Sequence, residues 1–491
     1  MGKKIRQIIP RLEEIVGLDY VSASPDICKS YAYSCFLSSK WLTIPEVVVM
    51  PQTTEQVSAV IKLANKYKIP ITPKGLCGGT GHGGPLGGGI LLDLNHMDKI
   101  ILIDTVNMKA VAEAGCSFFK LSQELFKHGL MLPTTEYGPG PNVAASVITP
   151  VNAFGKTRYG RNVDLVEGFE VVLPNGEIIT VGSMAYAHTS FGPFYRYIHG
   201  PDLVGLFVQS NGAYGIVTKI AYMCLKLPKD WSSTAYYWPE NKIENVTKTM
   251  IEAVGYELFD VHLNDKWKYE PMERVTGKSI LPPDAYFILN IMINAWSKEE
   301  LSAKEKIVDQ LCIKYGGKLL TTISSTFYDD WPTFFTIVAH PGFDAIYQVM
   351  YTTSKSNYMY IYDSINYPIS AFPEVYNKIK EIGIKYEIWG YPRLTVFDGF
   401  PMKPQTMCSQ TWAFINTRDN KWVERIYKCR DEFREWFGAK GGTHQQHLPP
   451  IIPSYGWDNQ EGAYKLAKEI KKVLDPNNIL SPWTFLYKRE T

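Results

Sequence analysis

Short apolar strands and amphipathic helices alternate along the first half of the chain. Residues 46–50 form an apolar run that Pro51 ends, which predicts a strand. Thr53 follows as a helix N-cap, and Gln56 stands three residues later, as in a capping box. The apolar residues of this helix recur at the three- and four-residue spacing of one face: Val57, Val60, Ile61 and Ala64.

The same half contains further predicted elements. They are strands over 71–72 and 90–94, a strand pair over 101–114, a helix over 118–127 and a strand over 215–227. Residues 168–182 predict a hairpin, because Asn175-Gly176 favours the positive φ angles of a tight turn.

The composition changes at residues 228–231, and beyond them the pattern is different. Residues 233–430 mix helices such as 304–315 with aromatic-rich strands such as 358–362, which predicts a second, α+β domain. A last helix runs from residue 458 to Asp475-Pro476. Its predicted apolar face consists of Ala463, Leu466, Ala467, Ile470 and Leu474.

Residues 73–95 hold nine glycines between two predicted strands. A backbone without Cβ atoms can turn successive N–H groups toward one point, which suits a pyrophosphate. The alternative is a flexible surface loop. The run does not match the P-loop, since no Gly-Lys-Ser/Thr follows, and no helix opens after it as the G-x-G-x-x-G fingerprint requires.

The length and composition of the chain indicate how many domains it has and which kinds of ligand it binds. A chain of 491 residues predicts about two or three domains. Its net charge of +2 indicates neither nucleic-acid nor membrane-surface binding. Aromatic residues make up 13% of the chain, which is typical of pockets for flat ligands but also of large cores.

Targeting signals are not evident, and the cysteines indicate a reducing compartment. The N-terminus lacks an apolar signal region, and Arg6 departs from the myristoylation pattern. No window reaches the roughly 18 uncharged apolar residues of a membrane span. The eight cysteines include no Cys-x-x-Cys pair, so we expect buried thiols in a cytoplasmic protein.

Four segments in register resemble the FAD-linked oxidoreductases of the vanillyl-alcohol oxidase and p-cresol methylhydroxylase type: Pro45–Leu63, Gly75–Leu94, Val151–Gly182 and Gly200–Leu227. Residues 205–219, GLFVQSNGAYGIVTK, are especially specific, and residues 475–482, DPNNILSP, resemble the family's C-terminal ending. The resemblance implies an α+β fold with a two-part FAD-binding domain of the PCMH type and an α+β cap domain. The expected boundaries are 1–230 for the FAD domain (core about 40–228), 231–455 for the cap, and 456–491 for a segment that returns to the FAD domain.

The resemblance also implies which residues hold FAD. The pyrophosphate would lie against Lys74, Gly75, Leu76, Cys77, Gly78, Gly79, Thr80, Gly81 and His82. The rest of the flavin would be lined by Ser146, Thr149, Pro150, Ile216, Val217 and Thr218. By themselves, Ser146 and Thr149 fit equally the common hydroxyls of turns. A covalent tether to FAD is a further hypothesis, through His82 or through Tyr360 or Tyr362 of the cap.

Three departures from the family argue against a 4-alkylphenol substrate. Gly441-Gly442 stands where phenol-oxidising members carry Tyr-Arg, Arg161 replaces an aspartate after Tyr-Gly, and His82 replaces a tyrosine. Arg161 suits a substrate carboxylate, because guanidinium binds carboxylate through two parallel hydrogen bonds. A structural ion pair or a phosphate contact is the alternative for Arg161.

His444 and His447 lie in a run similar to the histidine motif of the hydroxy-acid dehydrogenase branch. A histidine near neutral pKa can accept the hydroxyl proton while hydride leaves carbon. A shared metal ion or a structural role are the alternatives; two histidines three residues apart are a weak ligand signal, and we predict no metal.

The sequence therefore predicts an FAD-dependent dehydrogenase or oxidase that takes hydride from a small alcohol, 2-hydroxy acid or benzylic substrate. The acceptor would be oxygen, a quinone, a cytochrome or an iron–sulfur protein, and the family implies a homodimer. Three alternatives are a 4-alkylphenol methylhydroxylase, a transferase similar to alkylglycerone-phosphate synthase, and a non-catalytic flavin subunit.

Overall fold

The computed structural model describes residues 2–31, 44–76, 88–133, 135, 140–149, 153–269, 273, 279, 281–326, 358–390, 395–403, 405–416, 419–444 and 459–482. The chain divides into two compact units. The first comprises Met1–Ala153, Arg161–Leu227 and Gln446–Thr491, and the second comprises Phe154–Gly160 and Pro228–Gln445.

Long helices and helices of one or two turns both occur along the described chain. In chain order they are α1 (Gly2–Val16), α2 (Pro25–Ser30), α3 (Thr54–Tyr67), α4 (Phe118–Lys127), α5 (Ala145–Ile148), α6 (Lys156–Tyr159), α7 (Val204–Phe207), α8 (Ile243–Ala253), α9 (Lys298–Lys314), α10 (Phe372–Lys385), α11 (Asn420–Ala439) and α12 (Glu461–Leu474). The cap predicted at Thr53 is confirmed, since its hydroxyl accepts the Gln56 N–H at 3.2 Å. The predicted core face of α3 is also confirmed, because Val57, Val60, Ile61 and Ala64 are fully buried.

The first unit contains a small, mostly parallel sheet. Its strands are β1 (Val21–Ser22), β2 (Val47–Val49), β3 (Ile71–Lys74) and β4 (Ile90–Asp93), in the order β1-β2-β4-β3. Strands β2, β4 and β3 run parallel, whereas β1 pairs antiparallel with its neighbour β2. Strands β2 and β4 are buried throughout, as parallel strands usually are. Ile71 also pairs with Leu480, so the C-terminal segment adds to the edge of this sheet.

Two antiparallel sheets complete the strands of the first unit. Their strands are β5 (Ile100–Asp104), β6 (Lys109–Glu113), β7 (Leu130–Met131), β8 (Val166–Val172), β9 (Ile178–Gly182), β10 (Ile216–Met223) and β11 (Leu225–Lys226). Five of them form the order β5-β6-β10-β8-β9, and β11 pairs with β7. The predicted hairpin is confirmed as β8–β9.

The second unit is built on one eight-stranded antiparallel sheet. Its strands are β12 (Asp230–Trp238), β13 (Asp260–Asp265), β14 (Phe287–Ala295), β15 (Lys318–Thr326), β16 (Tyr358–Pro368), β17 (Thr395–Met402), β18 (Thr406–Asn416) and β19 (Thr443–His444). Their order is β15-β12-β14-β13-β17-β18-β16-β19. Helices α8, α9, α10 and α11 share one apolar core with a face of this sheet. Helices and sheets in both units give the predicted α+β fold.

Some predicted details are wrong. Helix α9 begins before residue 304, because Ser297 caps it by accepting the Glu300 N–H. Helix α12 buries only part of its apolar face, because Ile470 and Leu474 pack on the core of the first unit while Leu466 is 58% exposed and Ala463 is exposed. Residues 154–160 group with the second unit by their contacts. The predicted domain boundaries stay predictions.

Candidate functional site

The glycine-rich segment begins at the carboxyl end of β3, where ligands of parallel sheets commonly bind. Lys74, the last residue of β3, accepts the Leu94 N–H at 2.9 Å. The next residue, Gly75, is closely packed, because a Cβ there would lie 2.9 Å from both Ala145 Cβ and Asn142 Oδ1. Only glycine allows this approach of β3 to helix α5.

Asn142 connects this strand end to two other segments. Its Oδ1 accepts the Leu76 N–H, and its own N–H donates to Leu76 O at 2.7 Å. Its Nδ2 donates to Gly115 O at 2.6 Å. The side chain is 3% exposed, so these bonds are shielded from water. The Leu76 N–H is thus already bonded within the protein.

Helix α5 carries one of the predicted flavin residues and another directly follows it, and both hydroxyls have protein partners. Ser146 Oγ donates to Val143 O at 3.0 Å, and Thr149 Oγ1 donates to Asn211 Oδ1 at 3.0 Å. The Asn211 N–H in turn donates to Ile148 O at 3.2 Å. These bonds bring residues 74–76, 142–149 and 209–211 together, and the contact of Ser146 and Thr149 with a cofactor stays a prediction.

The three predicted residues on β10 are buried. Ile216 and Val217 belong to the apolar core of the first unit. The Thr218 hydroxyl donates to Glu170 Oε1 at 2.9 Å, and that carboxylate also accepts from Lys219 at 3.0 Å. The Thr218 hydroxyl therefore bonds to the neighbouring strand β8, and its contact with a cofactor stays a prediction.

Arg161 lies at the start of a 3-10 turn over Asn162–Leu165 and is half-buried. Its N–H donates to Asp164 Oδ2 at 2.7 Å, which closes the turn. The neighbouring Asn162 is 1% exposed, and neither Oδ1 nor Nδ2 of its amide has a hydrogen-bond partner among the described residues. A half-buried cation therefore stands directly before a buried, unsatisfied amide.

In the second unit, the sheet face opposite the apolar core is polar along β13. Asp260, His262 and Asn264 alternate with Val261 and Leu263, which belong to the core. Asn264 Nδ2 donates to His262 Nε2 at 3.1 Å. Because an amide NH2 can only donate, His262 Nε2 accepts in this arrangement.

Asp260 forms a buried ion pair with Lys156 of α6. The two side chains are each 1% exposed, with Lys156 Nζ and Asp260 Oδ2 3.2 Å apart. Gly155 and Val261 donate backbone N–H groups to the carboxylate at 3.2 and 3.0 Å. Burial nevertheless raises the pKa of Asp260, and Lys156 lowers it in opposition. Lys156 also lies 4.1 Å from the centre of the Phe400 ring.

Several predicted site residues lie outside the described residues: Cys77, Gly78, Gly79, Thr80, Gly81, His82, Pro150 and His447. For His444 the structure describes the backbone, which pairs with Ile365 in β16. The side chains of Tyr360 and Tyr362 are likewise not described.

Metal-binding and membrane-spanning features are both absent from the described residues. There, no group of three or more His, Cys, Asp or Glu side chains is arranged to hold a metal ion. Within the same part of the chain, no helix has both the length and the apolar character needed to cross a membrane.

Two family models match the chain. One, described as the FAD binding domain, matches residues 45–182, and the other, the C-terminal domain of FAD linked oxidases, matches residues 345–484. The chain is an FAD-linked oxidoreductase.

Known proteins similar to this oxidoreductase agree with the assignment. A D-lactate dehydrogenase of Anaerostipes hadrus is 25% identical over 461 residues, which cover 90% of each protein. The mitochondrial cytochrome-type D-lactate dehydrogenase of Arabidopsis thaliana is 28% identical over 57% of this chain and 47% of its own length, so the match spans about half of that protein. The crystal structure of p-cresol methylhydroxylase with substrate bound has a TM-score of 0.82 at 18% identity, covering 100% of this chain and 99% of that one.

The residues of the first unit fit an FAD. Asn142 and Gly75 hold the start of the glycine-rich segment against α5. In the segments that carry the family resemblance, the Asn162 amide and the Ser210 hydroxyl are buried and have no partner among the described residues. Sequence reasoning missed Asn142, Asn162 and Ser210. Asn142 follows a Gly-Pro-Gly-Pro run, and Asn162 follows Arg161, but neither signal indicates a specific hydrogen bond.

Proposed function

We propose that this oxidoreductase removes a hydride from the carbinol carbon of a small 2-hydroxy acid. The observation that carries the proposal is Arg161, a half-buried residue in the resemblance segment Val151–Gly182, directly before Asn162, whose amide has no partner among the described residues. A carboxylate is the group that such a side chain binds best, through paired charged hydrogen bonds. Similarity to a D-lactate dehydrogenase along 90% of the chain supports the same substrate class.

The roles of the residues follow from this chemistry. When bound, FAD supplies a two-electron acceptor. Arg161 would hold the substrate carboxylate, and His444 or His447 would accept the hydroxyl proton as hydride leaves the carbon. The same histidines would also accept the hydroxyl proton of the other substrates in the predicted class, small alcohols and benzylic alcohols.

The electrons then pass to an acceptor, which we propose is oxygen, a quinone, a cytochrome or an iron–sulfur protein. We further propose a homodimer in the cytoplasm. Six described cysteines are free thiols, as expected in a reducing compartment: Cys28, Cys116, Cys224, Cys312, Cys408 and Cys429.

The test is anaerobic bleaching of the flavin absorbance by a panel of 2-hydroxy acids, aromatic alcohols and 4-alkylphenols. We expect 2-hydroxy acids to bleach the flavin. The Arg161→Met variant should raise the KM for them by roughly 10–100-fold, because one charged hydrogen-bonding partner is lost. Arg425→Met, which removes an exposed guanidinium paired with Glu387, is the control.

Other outcomes would contradict the proposal. Bleaching by 4-alkylphenols alone would indicate a p-cresol-type methylhydroxylase. Flavin that no compound bleaches would indicate a transferase similar to alkylglycerone-phosphate synthase or a non-catalytic flavin subunit.

A covalent tether through His82, Tyr360 or Tyr362 is a separate proposal, supported only by the family resemblance. Acid precipitation tests it directly. A yellow pellet is expected for a covalent flavin, and a yellow supernatant above a colourless pellet would contradict every tether.

A further inference from the structure

Asn162 is a buried amide whose two polar atoms have no protein partner in the described part of the chain. Only 1% of the residue is exposed to solvent. Leaving a buried donor or acceptor unsatisfied is costly. A bound ligand, ion or water that completes its hydrogen bonds accounts for such a side chain.

The position of Asn162 is set by its neighbours. Val163 and Leu165 of the same 3-10 turn pack on the apolar core of the first unit. The Asp164 side chain closes the turn by accepting the Arg161 N–H at 2.7 Å. The turn cannot rotate Asn162 to solvent without exposing Leu165, which is 3% exposed.

The turn also packs against helix α5. The first residue of that helix, Ala145, contacts Gly75 at the start of the glycine-rich segment, where a Cβ would be 2.9 Å away. At the other end of the helix, Val147 O and Ile148 O accept the N–H groups of Gln209 and Asn211 at 3.2 Å. Asn162 thus lies beside the segments that, by the family resemblance, are expected to bind FAD, although the resemblance implies no role for Asn162 itself.

The missing partner must offer a donor and an acceptor side by side, because Oδ1 and Nδ2 are both unsatisfied. We propose that the Asn162 amide pairs with a heteroaromatic edge of FAD. Two edges of this cofactor have that chemistry: the C=O and N–H groups of the isoalloxazine pyrimidine ring, and the N–H and ring nitrogen of adenine. The proposal rests on FAD binding and is independent of which substrate is oxidised.

The experiment removes the amide and measures the cofactor without any substrate. Apo-protein of the full chain, with Asn162→Leu or unchanged, is titrated with FAD and separately with FMN, and binding is followed by flavin fluorescence. Leucine keeps the branched shape of the side chain, is somewhat larger, and loses both hydrogen bonds. We expect the FAD dissociation constant to rise by roughly 10–100-fold, as the loss of two buried hydrogen bonds predicts.

The two ligands distinguish the two edges. An equal rise for FAD and FMN assigns Asn162 to the isoalloxazine ring, and a rise for FAD alone assigns it to adenine. Unchanged affinity for both ligands would overturn the proposal and leave a trapped water as the partner.

Asn162→Asp is the second variant, because it is nearly isosteric and guards against misfolding of the leucine variant. It keeps an acceptor, loses the donor and adds a negative charge. If the edge belongs to the isoalloxazine ring, the negative charge disfavours the reduced, more anionic flavin and lowers the flavin potential. A tenfold change in the ratio of reduced to oxidised flavin corresponds to about 30 mV in the two-electron potential. If the edge belongs to adenine, the potential stays unchanged while FAD affinity falls.

Ser122→Ala is the matched control. Ser122 lies on α4, is 1% exposed, and its hydroxyl also has no partner in the described residues. We expect its FAD affinity and flavin potential to equal those of the unchanged protein. An equal loss of affinity in this control would contradict a specific role for Asn162 and indicate a general effect of core substitution.

Discussion

Asp260 in the second unit and Asn162 in the first are both buried polar side chains, and the described residues satisfy the hydrogen bonds of Asp260 alone. Asp260 accepts from the Lys156 ammonium and from the backbone N–H groups of Gly155 and Val261. Asn162 has no partner among the described residues. The Asp260 cluster is complete without a ligand, whereas the surroundings of Asn162 are complete only when one binds.

The difference separates a structural cluster from a binding site. A buried ion pair that is broken on one side leaves an uncompensated charge, so it should control folding. An amide that waits for a ligand should control ligand binding and affect folding little. Substitutions at the Lys156–Asp260 pair should therefore change the stability of the fold, and substitutions at Asn162 should change ligand affinity. The largest effects on stability are expected at the buried ion pair.

Asp260→Asn should have the largest effect on stability. The Lys156 ammonium would remain buried without its carboxylate, which costs about 3–5 kcal/mol. Thermal unfolding should then occur at a Tm lower by roughly 10 °C. Asp260→Asn combined with Lys156→Met should recover part of the loss, because the unpaired charge is gone; a double variant no better than the single one would contradict the pairing.

Lys156→Met should also make stability depend on pH. Burial already raises the pKa of Asp260 above 3.8, and the variant removes the ammonium that opposes the shift. A raised folded pKa contributes stability that is present below the unfolded pKa and lost as pH rises through the folded pKa. The variant should therefore lose less stability, relative to the unchanged protein, as pH falls from neutral toward 3.8. Urea unfolding at several pH values measures this, and Asp260→Asn, which lacks the carboxyl, should not recover in this way.

Lys471→Met should cost less, about 2–3 kcal/mol, because hydrogen bonds to a charged donor are lost. Lys471 Nζ donates to Ala213 O at 2.8 Å, Leu480 O at 2.7 Å and Asp475 Oδ2 at 2.5 Å. These bonds hold the C-terminal segment beside Ile71, so limited proteolysis should cleave the variant there. Lys472→Met, at an exposed position of the same helix, is the control and should be cleaved as slowly as the unchanged protein.

Asn142→Ala should cost about 1–3 kcal/mol in stability and should also weaken FAD binding. The variant leaves the Leu76 N–H and Gly115 O without their partner and frees the start of the glycine-rich segment. FAD titration of the apo-protein and thermal unfolding measure the two effects. Asn65→Ala, which loses a side-chain bond to Pro174 O at 2.9 Å, should leave FAD affinity unchanged; a similar loss of affinity in both variants would contradict a local role for Asn142.

Glu252→Gln should have the smallest effect, because the Glu252–Lys314 pair lies at the surface. Hydrogen bonds from Lys314, Tyr256 and Tyr315 lower the pKa of Glu252 from 4.5 to about 2. A lowered pKa contributes stability that is present above 4.5 and lost as pH falls toward about 2. Urea unfolding should therefore separate the variant from the unchanged protein only slightly at neutral pH, and the difference should vanish in acid. A difference that persists in acid would contradict this account.

The hairpin at residues 168–182 illustrates how far local sequence reaches. Asn175-Gly176 correctly predicts a tight turn, but only Gly176 of this pair has a positive φ, at 83°. Pro174 fixes φ near −65° just before them, so the turn places Pro174-Asn175 at its centre and Gly176 after it. Asn175-Gly176 alone predicts that a turn occurs here, whereas the type of turn depends on the preceding Pro174.

Helix α12 marks the opposite limit. Its apolar residues predict a buried face, yet Leu466 is exposed and Lys471 is buried. Lys471 is buried because Asp475, Ala213 and Leu480 accept its hydrogen bonds. Ala213 and Leu480 lie in other segments of the first unit. Hydrophobic periodicity cannot foresee a lysine that three acceptors hold inside the protein.

By itself, the sequence determined the elements with strong periodicity and clear caps, such as α3, α4 and β8–β9, and the motifs that mark an FAD-linked oxidoreductase. Those properties depend on residues within a few positions of one another. Only the tertiary structure decided that Asn142 joins three segments, that Lys156 pairs with Asp260, and that Asn162 is buried with no partner in the described chain. Each of these depends on which distant groups meet in a water-free interior, where an unpaired polar atom is costly.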